Sequence, residues 1–303
     1  MEFVFILLTI LGLSLFEVIT SIDNAVINAQ VLSGMAQKSR RWFLTWGFFS
    51  SVIAVRGLFP LFVLWIANPS IGIIGAFTAT FSGDPKVAVA LEHSSSLLLI
   101  AGGIFLVFLF FNWLFLEPKH FGLRGERFFQ KQGSWFFATV SIILLLLVWL
   151  ALKKDPMMAF AAVLGSTAFF IIHGFQKYAE EQEQQLVKAE GSPASDISKI
   201  LYLEVLDATF SIDGVVGAFA FTLSIPLILL GNGLGAFVLR RLTVSNIDRI
   251  KKYKYLKNGA MYSILFLGII MILNSFGFRV GTWVSPSITV LTVGYFFYKS
   301  TSS

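Results

Sequence analysis

The chain has 303 residues, of which 56% are hydrophobic, 16% aromatic and only 13% charged, with 33 Phe and a net charge of +6. A soluble domain carries about 25% charged residues, so this composition, with a mean hydropathy of +0.79, excludes an ordinary soluble globular protein and points to a chain whose main solvent is lipid. Cysteine is absent, which excludes disulfides, thiolate nucleophiles and Cys-ligated zinc or iron–sulfur sites, so any metal must be held by oxygen or imidazole ligands.

At roughly 20 apolar residues per crossing, the apolar runs predict nine spans, near 3–34, 42–66, 87–116, 134–152, 157–176, 198–223, 225–243, 259–277 and 281–298. The expected fold is all-α: a polytopic membrane helix bundle of about nine transmembrane helices. The first run carries Glu2 in place of a basic leader and lacks an Ala-x-Ala-like cleavage site, so it reads as a retained helix. Residues 68–84, with Asn68, Pro69 and the run Thr78-Ala79-Thr80, fit either a re-entrant segment or a plain loop. The polar stretch from Glu180 to Ser198 reads as a loop. It divides the chain into a first membrane half, 1–176, a cytoplasmic linker, 177–197, and a second membrane half, 198–303.

Lys and Arg accumulate on the cytoplasmic side of membrane proteins. The segments following spans one, three, five, seven and nine hold 17 basic residues, among them Arg40, Arg41, Lys119, Arg127, Lys177, Arg249 and Lys299. The opposite side has only Lys86, Lys153, Lys154 and Arg279. This predicts an integral protein of the cytoplasmic (inner) membrane with its N-terminus outside and its C-terminus cytoplasmic. The basic residues lie in short loops and not on one amphipathic face, so membrane lipid is the expected partner and nucleic acid is not.

A repeat links span one to span six. Glu17-Val-Ile-Thr-Ser21-Ile-Asp23-Asn24 aligns with Asp207-Ala-Thr-Phe-Ser211-Ile-Asp213-Gly214. Downstream, Gly47 and Arg56 recur at the same spacing as Gly231 and Arg240. Because five spans separate the two copies, they must cross in opposite directions, which predicts two inverted-topology repeats. Transporters built this way place their sites near the midplane at the repeat interface.

An Asp at the membrane centre costs about 2.5–3.5 kcal/mol on insertion scales. Glu17, Asp23, Glu92, Asp207 and Asp213 are all candidates for that depth, with Glu204 nearer the cytoplasmic face. Five acids exceed the two arginines, Arg56 and Arg240, that could neutralise them, which favours a cation or proton site over purely structural ion pairs. On an ideal helix Glu17, Ser21 and Asn24 share a stripe, whereas Asp23 points about 120° away from Glu17, as Asp213 does from Asp207. Either the helix unwinds at Ser-Ile-Asp, eased in span six by Gly214 and Gly217, or the two acids face different neighbours. Hard oxygen ligands suit Mg²⁺, Ca²⁺ or Mn²⁺. His93, beside Glu92, is a possible imidazole ligand or proton carrier; His120 and His173 read as structural or solvated. Gly231-x-x-x-Gly235 fits close helix packing. No P-loop, His-Glu-x-x-His pair or nucleophile–base arrangement is present, so no enzymatic activity is expected.

With these residues in view the chain resembles the TerC family of integral membrane proteins, within the LysE-like exporter superfamily, and in particular the branch known as a domain of unknown function. The resemblance rests on Phe16-Glu17-Val-Ile-Thr-Ser-Ile-Asp-Asn24, Leu203-Glu-Val-Leu-Asp-Ala-Thr-Phe-Ser-Ile-Asp-Gly-Val215, Leu91-Glu-His93 and Gly102-Gly-Ile-Phe-Leu106. It implies membrane transport, with export of a divalent metal, manganese in particular. Carried onto this chain, Glu17, Asp23, Asn24, Asp207 and Asp213 are the expected ion site, and Gly214 in place of a second Asn makes the shell asymmetric. The expectation is a secondary transporter exporting Mn²⁺, with proton antiport as the candidate coupling and no permanently bound cofactor. Ser21, Thr209, Ser211, Glu92 and His93 would contribute further, and Arg56 and Arg240 would act as charge partners. The alternatives are an exporter of a small organic solute, or a non-transporting membrane partner of secretion or metal-loading machinery. The sequence leaves the oligomeric state open.

Overall fold

The computed structural model describes residues 2–22, 25, 32, 35–67, 72–78, 85–119, 121–188, 196–250 and 253–302. Helices joined by short turns and loops make up these residues, with no strand among them. The elements are α1 (Glu2–Thr20), α2 (Gln37–Trp42), a π-helical stretch π1 (Phe43–Gly47), α3 (Phe48–Ser51), a second π-helical stretch π2 (Val52–Leu58) and α4 (Phe59–Ala67). Next come α5 (Gly72–Thr78), α6 (Pro85–Leu116), α7 (Arg124–Gln130), α8 (Trp135–Leu152), α9 (Pro156–Lys188), α10 (Asp196–Ala218), α11 (Ile225–Ile250), α12 (Leu256–Ser275) and α13 (Val284–Thr301).

Six helical stretches among the described residues are long and apolar enough to cross a membrane: Phe3–Thr20, Gln37–Val63, Ser95–Leu116, Trp135–Leu152, Pro156–Gln176 and Leu256–Ser275. The expected spans at 198–223, 225–243 and 281–298 correspond to α10, α11 and α13, which are helical but are not among these six. Two local expectations change. The polar stretch after residue 176 is not a loop from Glu180: α9 runs on to Lys188. Glu, Gln, Lys and Ala are good helix formers and no Gly or Pro intervenes before Gly191, so polarity alone does not end the helix. Within 68–84, Gly72–Thr78 forms a short helix.

Helices that share a lipid solvent gain little by hiding apolar faces from one another, so close approach through small residues holds them together. The crossings here follow that rule. Gly103 of α6 and Gly268 of α12 face each other, a Cβ on either lying 2.9–3.0 Å from the other's carbonyl oxygen. Gly165 of α9 lies against the backbone of Ala101. The main apolar core joins Leu13 and Phe16 of α1, Ile100 to Phe115 of α6, Phe136 of α8, Phe169 of α9 and Leu267 of α12. Outward residues such as Leu145, Phe160, Leu234 and Leu291 are exposed and apolar, as a lipid-facing surface requires.

The loops meet in two groups. At one end Lys257 pairs with Glu117, Asn258 Nδ2 donates to Glu126 Oε2 at 2.7 Å, the Tyr255 N–H donates to Ser300 Oγ at 2.9 Å, and Arg240 Nη2 donates to the Phe43 carbonyl at 2.5 Å. At the other end Lys154 Nζ donates to the Ser275 carbonyl at 3.0 Å, Ser285 Oγ donates to the Ala220 carbonyl at 2.7 Å, and Ile225 packs on Leu61, Trp65 and Leu98. Helices α11 and α13 run from one group to the other, α11 from Ile225 to the segment before Tyr255 and α13 from Ser285 to Ser300.

Two predictions follow from this packing. A Cβ on Gly235 of α11 would sit 2.5 Å from the Ser14 carbonyl and 2.7 Å from Glu17 Cβ. Gly235→Ala is expected to cost about 1–3 kcal/mol by overpacking. Gly174→Ala, with nothing within 4 Å, is expected to be neutral; thermal unfolding in a mild detergent separates the two. At the loop end, Lys119 donates to the Trp113 carbonyl and lies over the Trp113 ring. Burial pushes its ammonium down to about 8, with Glu117 opposing. The fold favours the neutral form, so this group's contribution to stability rises as pH increases from about 8 towards its ordinary 10.5. Comparing melting temperatures on either side of pH 8 for the wild type and Lys119→Met should show that rise in the wild type alone.

Candidate functional site

Four elements that carry the repeated sequence meet around one ion pair: α1, π2, α10 and α11. Helix α1 leans on α11 through two glycines. A Cβ on Gly231 would sit 2.5 Å from Leu13 Cβ, and Ser14 Oγ donates to the Gly231 carbonyl at 2.8 Å. Helix α1 approaches α10 through two more. A Cβ on Gly214 would lie 2.9 Å from Glu17 Oε2, and one on Gly217 would collide with the Phe16 ring. Gly214 therefore does not unwind α10, which runs unbroken through Ser211-Ile-Asp213 to Ala218. Its missing side chain is the room that the Glu17 carboxylate occupies. In the first copy the regular helix ends at Thr20, yet the Ser21 N–H still donates to the Glu17 carbonyl at 3.1 Å and the Ala25 N–H to the Ser21 carbonyl at 3.0 Å.

Glu17 is fully buried and Arg56 is 2% exposed. Arg56 Nε and Nη2 both donate to Glu17 Oε1, at 3.1 and 2.5 Å. Nη2 also donates to Ser211 Oγ at 2.9 Å, and Nη1 is 3.9 Å from Asp207 Oδ2. Ser21 Oγ donates to Glu17 Oε1 at 3.0 Å. The π-helical stretch around Arg56 is a distortion of the kind found at functional sites. One guanidinium thus ties together the first half, through Glu17 and Ser21, and the second, through Asp207 and Ser211. Glu17 Oε2 is buried and has no hydrogen-bond partner among the described residues.

The other sequence-selected residues divide. Asp213 does not join the cluster: its Oδ2 accepts from Gln176 Nε2 of α9 at 3.2 Å, while its buried Oδ1 has no partner among the described residues. The regular helix keeps Asp213 turned away from Asp207, so of the two possibilities open in the sequence, different neighbours is the one observed. Arg240 stacks over the Phe43 ring at 4.3 Å and lies within electrostatic range of Asp207 and Glu204. Asp23 and Asn24 lie outside the described residues, as do the side chains of Glu92, His93 and Thr209. His173 stacks on Phe169, ring centroids 5.4 Å apart, in a packing role. Among the described residues no three His, Asp or Glu side chains are grouped so as to hold a metal ion.

Sequence reasoning undervalued Glu204 and left two buried amides unmarked. Glu204 accepts from Ser50 Oγ at 3.0 Å, and the repeat residue Gly47 leaves space for its other oxygen. Its position three residues before Asp207, on the same helical face, was the available signal. Gln176 and Asn232, both buried, are single amides in apolar runs, and no motif marks them.

Fold and site together define an all-helical membrane protein with a charged cluster at the heart of its bundle. A family model described as "Protein of unknown function (DUF475)" matches residues 22–303, and the chain belongs to that family. No curated protein and no solved structure matches it.

In a low-dielectric interior, removing one partner of an ion pair strands the other charge. Arg56→Gln is expected to destabilise the protein by about 3–5 kcal/mol, and adding Glu17→Gln to it should restore most of that loss. A double-mutant cycle on unfolding in detergent measures both.

Proposed function

We propose that this protein is a secondary transporter of a divalent cation, working between two inverted repeats in a bundle of nine spans. The observation that carries the reading is a charge imbalance. Glu17, Glu204, Asp207 and Asp213 lie on the packed helices α1 and α10, and among the described residues the guanidiniums beside them are those of Arg56 and Arg240. With all four carboxylates ionised two negative charges are left over, and one oxygen on each of Glu17, Glu204 and Asp213 is buried without a partner among the described residues. One divalent cation, or two protons, would balance that core, which is the stoichiometry of an electroneutral exchange.

Glu17 and Asp207, with Ser21 and Ser211, are the proposed ion ligands, together with Asp23 and Asn24 from the sequence reading. Arg56 neutralises the empty site. Asp207, whose Oδ2 is 3.9 Å from Arg56 Nη1, gives the guanidinium a second partner when an ion takes Glu17. Asp213, held apart by Gln176, is the proposed proton carrier. Oxygen donors without thiolates favour Mn²⁺, Mg²⁺ or Ca²⁺, and the resemblance to the TerC family selects Mn²⁺ first. The orientation that goes with this reading has the basic loop end, where Lys119, Lys254 and Lys257 gather, in the cytoplasm, and the inner membrane as the location. The packing of α1, π2, α10 and α11 about one ion pair supports the repeat assignment, and the end-to-end course of α11 and α13 supports counting them as crossings. An organic anion is a weaker fit, because both guanidiniums already engage protein groups, Glu17 and Ser211 for Arg56 and the Phe43 carbonyl for Arg240.

The test is flux of Mn²⁺, Mg²⁺, Ca²⁺ and Zn²⁺ into proteoliposomes under an imposed pH gradient. Wild-type protein should move Mn²⁺, and Glu17→Gln should fall to the rate of empty vesicles. Asp213→Asn should keep downhill flux but lose its response to the gradient. Absence of flux for every cation with folded protein would end the reading and turn attention to a non-transporting partner role.

A further inference from the structure

Asn232 is fully buried, and neither its amide oxygen nor its amide nitrogen has a hydrogen-bond partner among the described residues. A buried amide with both ends unmade is costly to keep, and packing does not require it, since an aliphatic side chain of similar size would fill the same space.

Its direction follows from its neighbours on α11. Gly231 and Gly235 face α1, meeting Leu13, Ser14 and Glu17. Gly233 faces Val52 of π2 at 3.3 Å, and Leu229 of α11 lies 3.3 Å from the Cβ position of Gly57. At about 100° per residue, Asn232 falls between these two faces, on the side shared with Ile225, Ile228, Ala236 and Leu239, all buried. The opposite side carries the exposed Leu230, Leu234 and Phe237. Asn232 therefore enters the wedge between α1 and π2, the two elements joined by the Glu17–Arg56 pair. Its level fits as well. Arg56 precedes Gly57, which is level with Leu229, and Glu17 is level with Gly235, so Asn232 lies between the roots of the two charged side chains.

We propose that Asn232 is a cation-contacting residue, its amide oxygen joining Glu17 Oε2 as the donor pair that receives the transported divalent ion when Arg56 moves off Glu17. The inference rests on the cation-transport reading above. It also accounts for the asymmetry of the repeats. Where the first copy has Asn24, the second has Gly214, whose bareness makes room for Glu17, and α11 supplies the neutral oxygen in place of α10.

The experiment is Mn²⁺ binding to the purified full-length protein by calorimetry, with melting temperature recorded on the same samples, for wild type, Asn232→Leu, Asn232→Ser and Glu17→Gln. The expected result is a Kd raised about tenfold or more by Asn232→Leu, a smaller rise for Asn232→Ser, which keeps an oxygen, and an unchanged or higher melting temperature for the leucine variant. Wild-type affinity in Asn232→Leu, with binding lost in Glu17→Gln, would overturn the role of Asn232 and leave the cation reading standing. A large fall in melting temperature in both Asn232 variants would make it a packing residue and overturn the role equally. No Mn²⁺ binding by the wild type would overturn the cation reading and this inference with it.

Discussion

The Arg56 guanidinium, held by Glu17 and Ser211 and close to Asp207, is the contact on which the surrounding geometry depends. In a medium without water neither charge of such a pair can be left alone, so every element that brings a partner must approach closely and in register. The glycines at 214, 217, 231 and 235 meet that demand: each lies where a Cβ would strike Glu17 or its neighbours on α1. The π-helical stretch around Arg56 and the unbroken course of α10 are further consequences of delivering one cation and its carboxylate partners to one point.

The pair also explains why the molecule can hold so many acids. Two guanidiniums offset part of the negative charge of Glu17, Glu204, Asp207 and Asp213, and hydrogen bonds from Ser21, Ser50 and Gln176 stabilise the rest in part. Among the described residues the buried side-chain atoms without a hydrogen bond include one oxygen on each of Glu17, Glu204 and Asp213 and both ends of the Asn232 amide, besides atoms elsewhere such as Glu126 Oε1 and Thr289 Oγ1. Structural ion-pair networks tend towards full satisfaction. Beside the Arg56 pair the unmet atoms are Glu17 Oε2 and, on the adjoining face of α11, the Asn232 amide, and on these the proposed cation site rests.

Much of this was legible in the sequence. The repeat singled out Glu17, Asp207 and Arg56 because charged residues are so rare in the apolar runs that a matched pair stands out. The 100° step of a helix separated Asp213 from Asp207 in advance, and the regular helix realises that separation. The polar run after Lys177 misled because composition distinguishes lipid from water but not helix from loop, and Glu- and Gln-rich segments are good helix formers in water. Asn232 and Gln176 were invisible because a lone amide acquires meaning from what surrounds it.

The sequence by itself determined an all-helical membrane protein with most charged residues in the segments between spans and a few, led by the repeated motif, inside them, because hydrophobicity and helical period are local properties of the chain. Only the tertiary structure decided that Arg56 serves both halves, that Asp213 faces Gln176, and that Gly214 is empty to admit Glu17. Each of these joins residues from different helices, up to about two hundred positions apart, and so depends on which helices pack together and at what depth. That is set by the matching of small residues and buried charges across helix interfaces, which no single segment contains.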